Sequence, residues 1–437
     1  MEIVLISKEN VQPSSPTPLH LKSYKFSMLD QIAPAMVVPV VLYFSSPDEI
    51  LSSHHTTDSL KRSLSLILSR FYPIAGRISE DGLSVDCNDQ GVPFSVVKVT
   101  ARLSDLLKNP DPHLAKRFVP CELTVEDESG LDGNLAMIQV NHFDCGGIAI
   151  GLVFRHKIAD AMTIGSFLHA WAASARVTSD PVCPNYISQS LFPQKEELSK
   201  QTNSLGPLLK KGKTSMHRYV FDASAIRQLK AESNIERPTR VQVVLALLWK
   251  CFMVASLSNG KQVSLVSQTV NLRRRARPSF PSDCFGNFIG FTNASSTNEN
   301  KKELGHLVKE IRDAISKIDH DYVNRMLGDG GLSGCIQNLQ PIFSEIFKAD
   351  DVLFCQSWSG FGMYNVDFGW GKPIWVIRCD AGNNSESMPF VNVVWLIDTK
   401  FSDGIEAWVI LDEKYMEVFE KIEELQTYAS IDPSPFD

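Results

Sequence analysis

This chain of 437 residues lacks paired cysteines. Its nine cysteines stand singly between Cys87 and Cys379, with no Cys-x-x-Cys among them. That argues against a disulfide framework and a structural zinc, and suits reduced thiols in the cytosol. Excess positive charge is missing too: 43 Lys and Arg stand against 50 Asp and Glu, a net charge of −7, which disfavours a nucleic-acid partner. No apolar run reaches the length expected of a membrane crossing. The opening Met1-Glu2-Ile3-Val4-Leu5-Ile6 has no basic residue and only a short apolar stretch, so it does not read as a signal peptide, and a cytoplasmic location is expected. Several signatures of chemistry are absent as well. There is no Gly-x-Ser-x-Gly elbow, no Walker loop and no His-Glu-x-x-His. Gly360-Phe361-Gly362 falls short of a dinucleotide fingerprint because Asn365 stands where the third glycine belongs.

What is present describes a globular protein, 43% hydrophobic and 21% charged, and long enough for two or three domains. Pro13-Ser14-Ser15-Pro16-Thr17-Pro18 reads as an extended lead-in. Leu60, Leu64, Ile67 and Leu68 lie at helical spacing, closed by Tyr72-Pro73. An apolar run from Leu135 to Val140 and a second from Ile148 to Phe154 flank the Gly146-Gly147 turn as a hairpin-like pair of strands. From Ala161 onward a helix carries Ile164, Phe167, Leu168 and Trp171. Periodicity is lost from about 177 to 215, a proline- and serine-bearing stretch that marks a crossover. Beyond it, Thr239 can cap a helix bearing Val241, Val244, Leu245 and Leu248, and Leu304 to Ile318 spells another amphipathic helix. Apolar runs at 374–377, 389–397 and 405–411 predict strands, with a charged closing helix after them. Helices and strands alternate in both halves, which predicts an α/β protein of two domains.

Two motifs carry chemistry. In His156-Lys157-Ile158-Ala159-Asp160 the histidine follows a strand and precedes a helix. A neutral imidazole there can take a hydroxyl proton as the oxygen attacks a thioester, then return it to the leaving thiolate; the alternative is a histidine merely packed at a strand–helix corner. Asp160 is either a second functional carboxylate or one turned from the cleft to pair with an arginine. Asn271-Leu272-Arg273-Arg274-Arg275-Ala276-Arg277 can supply that arginine, and its other charges can meet phosphates, unless the cluster is a solvated basic turn. The second motif, Asp367-Phe368-Gly369-Trp370-Gly371-Lys372-Pro373, combines two glycines, two aromatics and a proline in a fixed turn. Asp367 is read as scaffold in preference to a second acid or base. Upstream, Trp358 offers an indole N–H that can meet a developing oxyanion, or simply fills the core.

The His156 and Asp367 motifs, in this order, resemble those of the plant BAHD acyltransferases. Further matches run along nearly the whole chain: Leu29-Asp30-Gln31, Phe71 to Arg77, Val85 to Gly91, Phe143-Asp144-Cys145-Gly146-Gly147, Val270-Asn271-Leu272-Arg273 and Phe285-Gly286-Asn287. Within the family the chain is most similar to the alkaloid-acetylating branch, where a serine precedes the motif histidine; here Arg155 replaces it. The resemblance implies a monomer of two chloramphenicol-acetyltransferase-like domains, each a mixed sheet flanked by helices. They would span 1–190, with the histidine motif, and 216–437, with the aspartate motif. A crossover loop at 191–215 would join them, and part of 367–392 would pack with the first. It implies an acyl-coenzyme A co-substrate, acetyl above malonyl or longer chains, with no bound cofactor or metal. The acceptor would be a small-molecule alcohol such as an alkaloid, terpenoid, sugar or fatty alcohol, with neither nucleic acid nor membrane as partner. His156 would be the base in a channel between the domains, Asp160 would point towards Arg273, and Gly369 and Gly371 would shape a structural turn. Arg274 and Arg275 are the candidates for coenzyme A phosphates, and Trp358 for the oxyanion.

Overall fold

The computed structural model describes residues 1–45, 53–121, 131–176, 182–198, 208–297, 303–379 and 389–436. Two mixed β-sheets, each with helices packed on it, make an α/β fold. The first sheet runs in the order Ile3–Val11, Val92–Val99, Ala136–Phe143, Ile148–Arg155, Val37–Phe44 and Trp375–Arg378. Only Val92–Val99 and Ala136–Phe143 run parallel in it. Ile148–Arg155 is buried along its whole length, as befits a strand covered on both faces. Its last strand comes from far along the chain: Trp375–Arg378 lies antiparallel beside Val37–Phe44, with Arg378 against Val40.

The second sheet runs Ile289–Thr297, Val263–Asn271, Asp351–Ser357, Val393–Asp398, Ile405–Asp412, Thr214–Phe221 and Ser430–Ile431. Its central strands Val263–Asn271, Asp351–Ser357 and Val393–Asp398 are parallel, and the rest pair antiparallel. Parallel strands need crossover connections, and Gly331–Lys348, packed on Ile289–Thr297, lies within one of them.

The helical stripes face inward because burying each large apolar side chain is worth roughly 1.5–3 kcal/mol. Ser53–Leu68 packs against Ala161–Arg176, bringing Leu60, Leu64 and Ile67 into one core with Phe167 and Trp171. Arg240–Ser258 begins at a capping box, where Thr239 Oγ1 accepts from Gln242 N at 3.1 Å and Gln242 Oε1 accepts from Thr239 N at 2.9 Å. This helix corrects the expectation that no apolar run is long enough to cross a bilayer. It is 19 residues long, and an 18-residue window within it reaches a mean hydropathy of 1.8, enough by length and composition, with 72% of that window buried inside the fold.

Three boundaries also differ from expectation. The 389–397 run divides into Pro389–Phe390 and Val393–Asp398, because the intervening Asn392 is buried and engaged: its Oδ1 accepts from Asp412 N at 3.0 Å and its carbonyl from Phe354 N at 2.9 Å. The closing helix is two short ones, Glu413–Phe419 and Glu423–Tyr428. Leu304–Ser316 ends before Ile318, which is buried just beyond it. The 177–215 stretch holds short helices at Ser188–Leu191 and Glu196–Leu198 and a short strand at Lys210–Lys211, while 177–181 and 199–207 lie outside the described residues.

Candidate active site

His156 follows the last residue of Ile148–Arg155, and its N–H donates to the Met36 carbonyl at 2.8 Å. The chain then turns, with Ile158 N donating to Arg155 O at 3.2 Å and Ala159 N to His156 O at 3.3 Å, and enters the helix Ala161–Arg176. The turn leaves the imidazole in the wall of a cavity of about 70 Å³. From the other sheet, Thr269, Asn271, Gln356 and Trp358 also line it, with Arg378 from the edge strand. Burial lowers the pKa of His156, and the Arg378 charge acts in the same direction; its own backbone, Asp160 and Asn287 act in the other. The neutral, proton-accepting imidazole is therefore the form at neutral pH.

Asp160 holds this turn to the second sheet. Its Oδ1 accepts from Thr163 N at 2.9 Å in the first turn of the helix, and from Arg273 Nη2 at 3.1 Å. Its Oδ2 accepts from Arg273 Nη1 at 2.7 Å and from Phe288 N at 3.0 Å. Burial works against the charge of Asp160, but the Arg273 guanidinium and the two amides outweigh it and hold the carboxyl below the usual carboxylate range. Arg273 is itself 1% exposed, with Nη2 also donating to Cys284 O at 2.9 Å and the guanidinium lying over the Phe288 ring. Its neighbours diverge. Arg274 is exposed and Arg275 half-buried, both beside Asn271 at the end of Val263–Asn271.

Arg155, the residue before the histidine, is buried and turns from the cavity, its Nε donating to the Asn134 carbonyl at 2.8 Å. Trp358 stands on the cavity wall, edge-on to Trp395 at 5.1 Å. Asp367 does not line the cavity. Its Oδ1 accepts from Gly369 N at 2.8 Å and Gly371 N at 3.0 Å, and Arg176 lies 3.8 Å from its other oxygen. Gly369 and Gly371 have φ of 108° and 105°, a region that L side chains avoid, so the turn requires glycine at both positions. Phe368 and Trp370 stack at 5.5 Å, and Phe368 stands edge-on to the buried Trp171 at 4.9 Å. Asp367→Ala is therefore expected to cost stability, about 1–2 kcal/mol for two amides losing their acceptor, with turnover per folded molecule little changed. Melting and active-site-normalised rates check this; an unchanged melting transition with sharply reduced turnover would make Asp367 a participant in the chemistry.

Several residues escape sequence reasoning. Asn287 Nδ2 donates both to the His156 carbonyl at 2.9 Å and to Asp30 Oδ1 at 2.9 Å, and Asp30 Oδ1 also accepts from Asn287 N at 2.8 Å. Asp30 in turn caps its own helix through Ser27. Both residues stand in stretches that matched the family pattern, which was the available signal. Arg378 and Gln356 had none. A larger hollow of about 590 Å³, walled by Thr214–Phe221 and residues 429–435, holds the buried pair Arg218–Glu406 but no histidine.

A model of the Transferase family matches residues 1–426. The chain belongs to the BAHD acyltransferase family. It is 38% identical to the Melia azedarach epi-neemfruitin B 7-O-acetyltransferase over 100% of both chains. With the Catharanthus roseus stemmadenine O-acetyltransferase it shares 34% identity over 95% of each. The crystal structure of vinorine synthase superposes with a TM-score of 0.84 at 30% identity, covering 98% of this chain and 99% of that one. This BAHD protein is thus an acyltransferase with the mixed α/β fold of that enzyme.

Proposed function

We propose that this BAHD enzyme transfers an acetyl group from acetyl-coenzyme A to a hydroxyl of a plant terpenoid or alkaloid, with His156 as general base. The observation that carries the reading is the neutral imidazole of His156 in the wall of a cavity between residues of both sheets. The free imidazole nitrogen takes the hydroxyl proton while the oxygen attacks the thioester carbon directly. The tetrahedral adduct then expels the thiolate, which recovers the proton from the imidazolium. A cavity of about 70 Å³ suits a two-carbon acyl group, and the relatives named above are O-acetyltransferases by name. The indole of Trp358 on the same wall is in reach of the reacting centre, and the exposed Arg274 with Arg275 suits the phosphates of coenzyme A. Asp160, Arg273 and the Asp367 turn serve as scaffold. The two sheets serve as the two domains, joined through 191–215, and the enzyme works as a monomer in the cytosol, where its free cysteines stay reduced.

The test is thiol release from acetyl-, malonyl- and benzoyl-coenzyme A with a panel of terpenoid and alkaloid alcohols. Acceptor-dependent release is expected from acetyl-coenzyme A, with benzoyl-coenzyme A slower because its ring exceeds the cavity. Preference for malonyl or benzoyl would overturn the acetyl assignment, and absence of release from every pairing, with no stabilisation by free coenzyme A, would overturn the transfer reading.

A further inference from the structure

Asn287, just before the second sheet's strand Ile289–Thr297, is fully buried, and both hydrogens of its Nδ2 are engaged. One goes to the His156 carbonyl at 2.9 Å and the other to Asp30 Oδ1 at 2.9 Å. Both of those partners need a donor, so the amide cannot turn round, and Oδ1 is held on the side away from them. That oxygen is buried and makes no hydrogen bond of ordinary geometry, and the same holds for His156 Nδ1. A buried acceptor left unmet is costly. The Asn287 side chain and the ring's own carbonyl both favour a protonated imidazole, as acceptors facing a ring N–H do. Asp30 is fully buried as well and accepts four hydrogen bonds, from Ser27 N and Oγ and from Asn287 N and Nδ2. Four donors converge on it, so it serves as the carboxylate, although burial pushes its carboxyl up. Gly286, with φ of 110°, lets the backbone come this close, since a Cβ there would sit 3.2 Å from Asp30 Oδ1.

We propose that Asn287 and Asp30 are positioning residues for the base: the Asp30 carboxylate orients the Asn287 amide, whose Oδ1 accepts the Nδ1 proton of His156 and leaves Nε2 bare for the alcohol. This rests on the transfer reading given above. Nδ1 is the buried nitrogen of the ring, so Nε2 is the one left to face the cavity. The opposite tautomer would set the Nδ1 lone pair against the amide oxygen and leave no lone pair on Nε2 to take a proton. During transfer Nε2 receives the alcohol proton, and the ring becomes a cation whose Nδ1–H still points at Oδ1. The thiolate then takes the proton back from Nε2, which returns the ring to the tautomer it started in. Hydrogen bonds of this kind are often long before substrate binds and tighten afterwards. The same Nδ2 holds the His156 carbonyl, so one amide fixes both the backbone and the ring of the base. The other charges that act on the ring are Asp160, paired with Arg273, and Arg378 from the edge strand.

The experiment is nitrogen NMR of the histidine rings in wild type, Asn287→Leu and Asp30→Asn, with His156 assigned by its absence from the His156→Ala spectrum. It reads the tautomer and the imidazole pKa without substrates, and steady-state rates are measured on the same proteins. Wild type is expected to carry the neutral ring's proton on Nδ1. Asn287→Leu should move a measurable share of it to Nε2, lower the imidazole pKa further, and reduce kcat about 10–100-fold with KM changed by less than about threefold. Asp30→Asn keeps the size of the side chain but removes the charge that holds the amide. It should shift the tautomer the same way, with kcat lowered about 3–10-fold. The fall in pKa is what a merely loosened turn would not give, since water entering the site would carry the value up towards the ordinary one of about 6.5. A wild-type proton on Nε2 would overturn the proposal. So would an unchanged tautomer, a raised imidazole pKa or a kcat within about threefold of wild type in Asn287→Leu. Should that variant fail to fold, the tautomer in Asp30→Asn decides in its place. If wild type releases no thiol, the transfer reading falls, and the tautomer readings, which need no substrate, decide the positioning alone.

Discussion

His156→Ala is expected to lower kcat by about 10²–10⁴-fold while the melting transition and coenzyme A binding stay near those of wild type. The stability half of this result follows from what the side chain does in the fold. Its backbone N–H and carbonyl make the local bonds, to Met36, Ala159 and Asn287, and alanine keeps all three. The imidazole Nδ1 makes no hydrogen bond of ordinary geometry, so removing the ring breaks none of the bonds that shape the turn. The rate half follows from the proton that must leave the attacking hydroxyl. The pH dependence gives a second check. Activity requires the neutral ring, so kcat/KM should be level above the imidazole pKa and fall as pH drops through it. Burial lowers that pKa, so the fall should come below about 6.5, the ordinary histidine value. An acid limb above that value, or retained turnover in the alanine variant, would remove His156 from the role of base.

The reach of the sequence depends on how far apart the cooperating residues lie. The strand Ile148–Arg155, the turn and the helix Ala161–Arg176 form one local unit, and hydrophobic period alone predicts them around His156. Asp30 and Asn287 are different: they are separated by 257 positions and meet only because both halves of the chain converge on one carbonyl. Neither lies in a pattern with a chemical meaning of its own. Arg378 ends a run, Trp375-Val376-Ile377, whose hydrophobicity announces core and conceals the cation at its end. Gln356 likewise faces the cavity from a strand that reads as apolar. Gly331–Lys348 was missed as a helix because Pro341 sits inside it and glycines open it, features that locally argue for a break. Asn392 divides an apolar run for a reason invisible locally, since its side-chain partner is Asp412 on another strand.

Asp160→Ala should destabilise the fold by about 3–5 kcal/mol, the largest stability effect expected of any single change near the site. The Asp160 carboxylate is buried and accepts four hydrogen bonds, two of them from Arg273. Alanine leaves that guanidinium, 1% exposed, without its countercharge and leaves the Thr163 and Phe288 amides without an acceptor. Against a typical net stability of about 5–15 kcal/mol, such a loss is a large fraction, and melting should fall by roughly 5–15 °C. Activity should fall with the folded fraction, and further wherever the released turn lets His156 shift, because the ion pair aims that turn. A double-mutant cycle separates the pair from its parts. Asp160→Leu with Arg273→Met removes both charges, and should be less destabilised than either single variant, since no lone charge then stays buried. The pH dependence has a definite sign. The folded pKa of Asp160 is depressed, so its contribution is present above the unfolded carboxylate value of about 3.9 and is lost as pH falls through the folded value. Between neutrality and about pH 5 this group should leave the melting temperature level. An Asp160→Ala protein that melts like wild type yet turns over slowly would move Asp160 from the scaffold into the chemistry.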